Sequence, residues 1–258
     1  MIGYRSDGAA PVARTQASGG DMDAFLRPEL AAYPGTMPDM TLAEALGELA
    51  ALEDPKMRAA NEKRGDDHGI NLSQLRGLAK KIKTDQALAQ ELWATGETPA
   101  LLLALLICKP RAFSADELDG MLRETRAPKV NDWFVNYVAK KTPLAEEMRL
   151  RWFDDEDPTV AAAAWSLTTV RVMKEPEGLD LEHLLDLIER DLKDAPSRLQ
   201  WAMNETLANI GIFHPEYRAR ALEIGERLQV LADYPTAPGC TSPFAPLWIG
   251  EIVRRREG

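Results

Sequence analysis

The segment LSQLRGLAKKIKTDQALAQELWATGETPALLLALLIC, residues 72–108, is the most informative part of the sequence for the fold class. Its first part carries an apolar stripe at three- and four-residue spacing, formed by Leu72, Leu75, Leu78, Ala79 and Ile82. This spacing is typical of an amphipathic helix. The apolar run Pro99 to Cys108 is far shorter than the roughly 20 residues that cross a membrane, so it predicts a buried helix. The segment therefore predicts consecutive helices that need neighbours to cover their apolar faces.

The same pattern continues on both sides of this segment, and Pro or Gly punctuates it at short intervals. Helix start signals are the capping boxes Thr41/Glu44 and Ser114/Glu117, and Thr142 before Pro143. We predict helices at 41–52, 55–64, 72–82, 85–95, 98–108, 114–125, 129–140, 143–153, 158–173, 180–192, 196–211, 215–228 and 244–256. Short turns between them favour an all-α fold, a HEAT-like or ARM-type α-α superhelix that forms a curved solenoid of antiparallel helix pairs.

Composition narrows the class of protein further. The 258 residues are 45% hydrophobic, enough for a large core. Residues 1–21, rich in Gly, Ala and Ser, predict a flexible tail, and residues 22–258 predict a single helical-repeat domain. Two cysteines, Cys108 and Cys240, predict neither a disulfide framework nor a metal finger, and the first residues lack an apolar signal segment. We therefore expect a cytoplasmic protein without a metal, cofactor or membrane partner.

Charge and motifs restrict the function. The sequence contains no phosphate-binding glycine loop, HExxH, CxxC or GxSxG motif, which excludes the enzyme classes that these motifs define. The net charge of −10 means that any contact with nucleic acid must be local, because Lys and Arg supply most of the affinity for phosphate. Basic residues are nevertheless clustered, at 76–83, 140–151 and 254–256.

The first candidate site segment is VNDWFVNYVAKKTP, residues 130–143. On one side of an α-helix it would place an aromatic, an amide and an ammonium group, from Trp133, Asn136, Tyr137 and Lys140. Such a set can stack on a base and contact the backbone of a nucleic acid. The alternative is that Trp133 and Tyr137 are ordinary packing residues between helices.

The second candidate segment is LQWAMNETLANIG, residues 199–211. Its helical spacing predicts one face with Trp201, Asn204, Glu205 and Ala208, opposite Met203, Leu207 and Ile210. Polar groups beside an indole are typical of the lining of a concave site. The alternative is that Asn204 and Glu205 bond to neighbouring helix ends while Trp201 fills a gap between helices.

A third segment carries Arg76, Lys80 and Lys83 at positions i, i+4 and i+7 of one helix. This stripe can follow the phosphates of a nucleic acid backbone. The alternative is a solvated helix face without a ligand.

Together these segments resemble the bacterial HEAT-like DNA alkylation repair family, the alkylpurine DNA glycosylases built as helical solenoids. The likeness covers approximately residues 41–256. It is carried by LRGLAKKIK at 75–83, ELWATGETPALLLALLI at 91–107, NDWFVNYVAKKTP at 131–143, the segment 152–189, WAMNETLANIGIFHPEYRARALEIGERL at 201–228 and CTSPFAP at 240–246.

The resemblance implies a concave basic groove that binds duplex DNA and a monofunctional glycosylase that excises N3- or N7-alkylated purines without flipping the base. Tryptophans would surround the lesion, and a carboxylate would stabilise the developing positive charge on the sugar. By this resemblance the candidate catalytic carboxylates are Asp132 and Glu205. The stacking residues are Trp133, Tyr137 and Trp201; the polar lining is Asn136 and Asn204; the phosphate contacts are Arg76, Lys80, Lys83, Lys140 and Lys141.

The sequence departs from the glycosylase pattern, in which an aspartate stands four residues after a tryptophan. Tyr137 stands four residues after Trp133, and in the other register Asn136 takes the aspartate position, where an amide supplies no charge. In the later helix Glu205 takes the place of the family's tryptophan, with Trp201 one turn earlier. Two alternatives follow: DNA binding without catalysis, or a non-catalytic HEAT-repeat scaffold that binds a protein or peptide.

Overall fold

In a computed structural model the described residues are 40–125, 127–237 and 239–257, so the predicted tail at 1–21 lies outside them. The helices are α1 Leu42–Ala51, α2 Pro55–Glu62, α3 Leu72–Ile82, α4 Gln86–Ala94, α5 Thr98–Ile107, α6 Ala115–Glu124, α7 Pro128–Trp133, α8 Ala145–Trp152, α9 Pro158–Lys174, α10 Leu181–Asp191, α11 Ser197–Phe213, α12 Pro215–Leu228 and α13 Ala245–Glu257. A π-helical segment follows α7 at Phe134–Ala139. Within the described ranges, extended pairing is limited to one bridge between Glu53 and Ile70.

The helices stack mainly on near neighbours along the chain. Helix α5 packs on α3, α4 and α7, α9 on α8 and α11, and α11 on α10, α12 and α13. Such local, repeated contacts are typical of a helical solenoid. The predicted all-α, HEAT-like superhelix is therefore confirmed. None of the described helices is both long enough and apolar enough to cross a membrane.

Two of the predicted helix starts are confirmed, and one is wrong. At Thr41 and Ser114 the capping boxes form, with both side chains accepting from the backbone of the glutamate three residues later. Thr142 does not begin a helix, since α8 starts at Ala145. The Thr142 hydroxyl instead accepts from the Leu144 amide at 3.3 Å and closes a turn that follows the π-helical segment.

The core consists of two clusters of buried side chains that meet at α9. The first extends from α1 to α9 and contains nearly all of α5, as the apolar run at 99–108 predicted. The second extends from α9 to α13. Helix α9 can face both because alanines occupy residues 161–164, and small side chains allow neighbouring helices to approach closely. Burial of each leucine in these clusters stabilises the fold by about 2 kcal/mol.

Helices α9 and α11 are joined by buried hydroxyl groups as well as by apolar contacts. The hydroxyls of Thr169 and Thr206 lie 2.8 Å apart, and that of Thr206 lies within hydrogen-bond distance of one backbone carbonyl from each helix. On its other side α11 touches α13 at Gly211, where an added Cβ would lie 2.6 Å from Ile249 Cδ1. These contacts fix the position of α11, which carries half of the candidate site.

The helix predicted at 129–140 is only partly α-helical. Helix α7 ends at Trp133, and in the next turns the Lys140 amide donates to the Val135 carbonyl, five residues back, at 2.9 Å. A π-helical turn holds more residues than an α-helical turn and is often found at functional sites. Residues that α-helical spacing would place on one side therefore separate onto two sides.

Candidate functional site

A cleft of about 600 Å³ lies between α7, the π-helical segment, α9 and α11. It brings together both candidate segments, although more than 50 residues separate 130–143 from 199–211 along the chain. Six predicted site residues line it: Asp132, Trp133, Asn136, Lys140, Trp201 and Glu205. The alanines of α9 at positions 162 and 163 form part of its wall, and their small side chains leave the space open.

The carboxylate of Asp132 is compensated by two cations. Arg198 Nη1 lies 3.2 Å from its Oδ1, and Lys129 Nζ lies 3.6 Å from its Oδ2. Arg198 also donates to the Pro128 carbonyl at 3.2 Å, so this arginine links the beginning of α11 to the beginning of α7. Asp132 is therefore occupied in an ion-pair network, which reduces its ability to stabilise a positive charge elsewhere.

Glu205 is the other carboxylate of the cleft, and unlike Asp132 it has no ion-pair partner among the described residues. It is half-buried, and no described residue donates a hydrogen bond to its side chain or pairs with it within 4 Å. Burial raises the pKa of Glu205, and the charge of Lys140 opposes that change. A carboxylate without a bound partner remains available to a positively charged group that enters the cleft.

Lys140 is held in the cleft by a short chain of hydrogen bonds. Its Nζ donates to Asn136 Oδ1 at 3.0 Å, and Asn136 Nδ2 donates to the backbone carbonyl of Asp132 at 2.8 Å. Burial lowers the pKa of Lys140, while the charge of Glu205 raises it. The lysine and Glu205 therefore influence each other across the cleft without direct contact.

The aromatic residues of the site differ greatly in exposure. Trp201 is 39% exposed and meets Tyr234, which is 48% exposed, in a T-shaped pair with centroids 5.2 Å apart. Trp133 is only 6% exposed, and the Arg76 guanidinium lies 4.8 Å from the centre of its ring. An occupant of the cleft thus meets Trp201 and Tyr234 far more fully than Trp133.

The remaining predicted cations lie beside the cleft. Arg76 Nε donates to the Tyr137 hydroxyl at 3.3 Å, and Lys141 Nζ lies 4.9 Å from the centre of the Tyr137 ring. Tyr137 therefore joins α3 to the π-helical segment and does not line the cleft. We define the basic strip as the exposed residues Arg76, Lys80, Lys83 and Lys141. Among the described residues, no carboxylate pairs with Lys80 or Lys83.

Asn204 does not line the cleft, and the four residues predicted on one face of α11 do not form one concave site. The Asn204 side chain is buried and donates to the Pro243 carbonyl at 2.8 Å, which anchors the connection before α13. Ala208 is also buried. Helix α11 is covered by α9, α12 and α13, so only Trp201 and Glu205 of the four predicted positions reach the cleft.

Several cleft residues were not among the sequence-predicted site residues: Lys129, Asn131, Ser166, Arg198 and Tyr234. For Arg198 a signal exists, because it precedes Trp201 by three residues and Glu205 by seven, the spacing of one helix face. Tyr234 comes from the irregular connection between α12 and α13 and has no periodic signal. Among the described residues no cluster of three His, Cys, Asp or Glu side chains has the arrangement of a metal site.

Comparison with known proteins identifies the fold and the family of the chain. None of the curated proteins matches the sequence. A solved structure of 22% sequence identity shares the fold, with a TM-score of 0.69 over 84% of this chain and 95% of that one. That structure represents a new family of proteins related to the HEAT-like repeat DNA glycosylases with affinity for branched DNA structures. The sequence profile described as "DNA alkylation repair enzyme" matches residues 45–247, most of the chain. The chain therefore belongs to the DNA alkylation repair enzyme family.

Proposed function

We propose that the protein binds DNA with the surface formed by the basic strip and the cleft. The observation that carries this proposal is the convergence of cations from three helical layers on one surface. Arg76 brings α3 against Trp133 of α7, and Arg198 ties α11 to the same helix. Lys80 and Lys83 extend this surface along α3.

The charge distribution supports a local DNA contact in a protein whose net charge is −10. Exposed lysines without ion-pair partners can neutralise phosphates and release counterions, which is the main source of affinity for DNA. Some other cations are engaged with carboxylates, as in the cluster of Arg220 with Glu182, Asp186 and Glu189. The basic strip thus has the free positive charge that a phosphate backbone requires. The affinity of the related solved structure for branched DNA supports the same class of partner.

A second proposed function is the excision of N3- or N7-alkylated purines, with Glu205 as the catalytic carboxylate. The observation that favours it is the unpaired state of Glu205 beside an exposed indole. A purine alkylated at these positions is cationic and leaves readily, so the protein needs to supply a π-face for the base and a negative charge near the sugar. Glu205 supplies that charge only when ionised, so we expect the excision rate to rise with pH through its raised pKa.

Binding is tested by fluorescence anisotropy with a labelled duplex and a labelled three-way junction at low salt. We expect both to bind, and Lys80→Glu to weaken binding to both because it places a negative charge beside the phosphates. If the protein binds neither the duplex nor the junction, the proposal is refuted, and the alternative of a HEAT-repeat scaffold for a protein or peptide is favoured.

Excision is tested by incubation with DNA that contains 7-methylguanine and measurement of the released free base. Glu205→Gln should abolish release, since the amide has the shape of the carboxyl group but no charge. The matched control is Glu223→Gln, an exposed position on α12, which should release base at the wild-type rate. Release no faster than the spontaneous reaction in the wild-type protein would leave DNA binding as the function.

A further inference from the structure

A second cavity, of about 470 Å³, opens between α4 and α6, with α5 contributing to its lining. We define this α4–α6 groove by six of its lining residues: Trp93, Ala104, Phe113, Glu117, Gly120 and Glu124. Alanines at 89 and 94 of α4 and Gly120 of α6 also line it, and their small size leaves the space between the two helices open. The described lining has no residue in common with the cleft or the basic strip.

The interior of the groove is apolar and partly aromatic. Trp93 of α4 and Phe113, from the connection between α5 and α6, are half-buried, so part of each side chain remains accessible. Cys108 and Met121 also line the groove, and both are almost fully buried. Small-molecule sites are typically lined by apolar and aromatic side chains with a few polar groups. The groove has this composition.

The charged groups of the groove all have the same sign. Asp116, Glu117 and Glu124 line it, and none of its described lining residues is a lysine, arginine or histidine. Glu117 accepts hydrogen bonds from the amide and hydroxyl of Ser114, and Glu124 accepts one from the Trp93 indole at 3.2 Å. These donors are neutral. Neither glutamate is therefore neutralised by an ion pair with a described residue.

These carboxylates are suited to a positively charged occupant. The hydrogen bonds from Ser114 hold the pKa of Glu117 below its ordinary value of 4.5, so this group is ionised at neutral pH. Asp116 is less available, since Arg151 Nη1 lies 2.8 Å from its Oδ1. An aromatic ring and an uncompensated carboxylate both attract an organic cation. The bond between Trp93 and Glu124 places these two kinds of group side by side.

The size of the groove favours a small molecule over a protein partner. From Glu117 to Glu124 the groove follows α6 for about 10 Å, at 1.5 Å per residue. Its volume of about 470 Å³ falls within the roughly 300–1,000 Å³ of small-molecule sites. Twelve residues line it, whereas a stable protein interface takes about 20–30 residues from each partner.

We propose that the α4–α6 groove binds a small organic cation, an amine or quaternary ammonium compound whose apolar body packs on Trp93 and Phe113. The positive charge of this compound faces the carboxylates of Glu117 and Glu124. A neutral compound of the same shape receives only the apolar part of this recognition. The proposal goes beyond DNA binding and uses none of the residues to which DNA contact is assigned.

The test compares three naphthalene compounds of similar shape by isothermal titration calorimetry with the full chain. The probe 1-naphthylmethylammonium is positive, 1-naphthylmethanol is neutral and 1-naphthoate is negative. We expect the cation to bind with a Kd below about 1 mM and about tenfold more tightly than the alcohol, the effect of one charge that is partly screened by solvent. The naphthoate should bind more weakly than the alcohol, because the carboxylates repel it.

Gly120 allows the groove to be filled without disturbing the fold. A Cβ added there meets only Glu124 Oε1, at 4.0 Å, and glycine is a poor helix former, so Gly120→Leu should not destabilise α6. The leucine side chain should occupy the groove and abolish binding of the cation. The matched control is Gly47→Leu, at an exposed glycine of α1 with no atom within 4 Å, which should bind as the wild type does. Thermal denaturation shows that each variant is folded.

The charge preference is tested by the double variant Glu117→Gln, Glu124→Gln. Glutamine keeps an acceptor oxygen for the hydrogen bonds that both side chains accept, so the variant removes charge and little else. The tenfold preference for the cation over the alcohol should fall to about twofold. The matched control Glu223→Gln, Glu226→Gln removes two charges from exposed positions of α12 and should preserve the preference.

Three results would overturn the proposal: a cation that fails to bind below about 1 mM, a cation that binds no more tightly than the alcohol, and binding that survives in Gly120→Leu. Sedimentation velocity tests another occupant. A wild-type dimer that Gly120→Leu converts to a monomer would assign the groove to a second copy of the chain, contrary to the proposal. None of these results bears on DNA binding by the basic strip and the cleft, and failure of DNA binding would not affect the groove.

Discussion

Neutralising Lys80 and Lys83 removes half of the charge of the basic strip. Both side chains are exposed, and neither has a carboxylate partner among the described residues, so their substitution breaks no ion pair there. Glutamine keeps most of the length of lysine, and its helix propensity is similar. The double variant Lys80→Gln, Lys83→Gln should therefore fold as the wild type does and change only the electrostatic attraction for DNA.

The magnitude follows from the number of phosphates that the strip can neutralise. Each contact with duplex DNA contributes about −0.9 to the slope of log affinity against log salt, so four contacts give about −3.6. From about 50 to about 200 mM salt the affinity of the wild type then falls roughly 150-fold. With two contacts the slope is about −1.8, and the same change of salt lowers the affinity only about 12-fold.

The assay is a salt titration of duplex binding by fluorescence anisotropy. A control removes the same number of positive charges elsewhere, by Arg190→Gln in the last turn of α10 and Lys193→Gln just after that helix. Arg190 is paired with the neighbouring Asp191, so this control also shows the effect of breaking a surface ion pair. The control should keep the wild-type slope. A wild-type slope shallower than about −2, or a control that flattens the slope as much as the strip variant, would refute the assignment of the strip to phosphate binding.

Three further predictions concern the protein without DNA. Burial raises the pKa of Glu205 above its ordinary value of 4.5, so its contribution to stability is present below that value and is lost as pH rises through the raised pKa. Glu205→Gln should therefore raise the melting temperature at neutral pH but not near pH ~4. Equal shifts of the melting temperature at the two pH values would contradict this. The Oδ1 of Asn131 is buried and has no hydrogen-bond partner among the described residues, so Asn131→Leu should leave the free energy of unfolding unchanged or increase it. Asn204→Leu, which removes the donor to the Pro243 carbonyl, should cost about 1–3 kcal/mol in a urea titration. Equal losses in the two variants would contradict this difference. Burial raises the pKa of Cys108 to about 11, and Cys240 is exposed, so a thiol reagent at neutral pH should modify Cys240 in the native protein and Cys108 only after unfolding; rapid modification of Cys108 in the folded state would contradict its placement.

The helices were predictable because each carries its own local signals. Apolar residues at three- and four-residue spacing, the capping boxes at Thr41 and Ser114, and prolines at first turns all act within a few residues. The buried character of α5 followed from its uninterrupted apolar run. Local physics of this kind does not depend on what a helix packs against, so the order of the helices and many of their ends could be obtained from the sequence alone. The exceptions are the start of α8 and the π-helical segment after α7.

The cleft was predictable only in part, because burial depends on neighbours that are distant in sequence. Asn204 and Glu205 are adjacent and both polar, yet one is sealed against the connection before α13 and the other faces open space. Nothing within α11 distinguishes them. Tyr234 reaches the cleft from an irregular segment, where no periodicity indicates the direction of a side chain.

The ion pair of Asp132 with Arg198 shows that the charge environment of a residue also depends on neighbours that are distant in sequence. The family resemblance implies both Asp132 and Glu205 as candidate catalytic carboxylates. The cation that distinguishes them comes from another helix, 66 residues further along the chain. Pairing across such distances is set by the stacking of the repeats and cannot be obtained from the spacing within either segment.

The π-helical turn at Phe134–Ala139 has a consequence for how this protein is compared with its relatives. Each residue of an α-helix advances about 100° around the axis, so one surplus residue in a turn rotates everything that follows by that amount. The side chain four positions after a tryptophan therefore points in a different direction in this chain than in a relative whose helix is regular. Superposed coordinates, rather than a count along the alignment, are needed to decide which side chain replaces which.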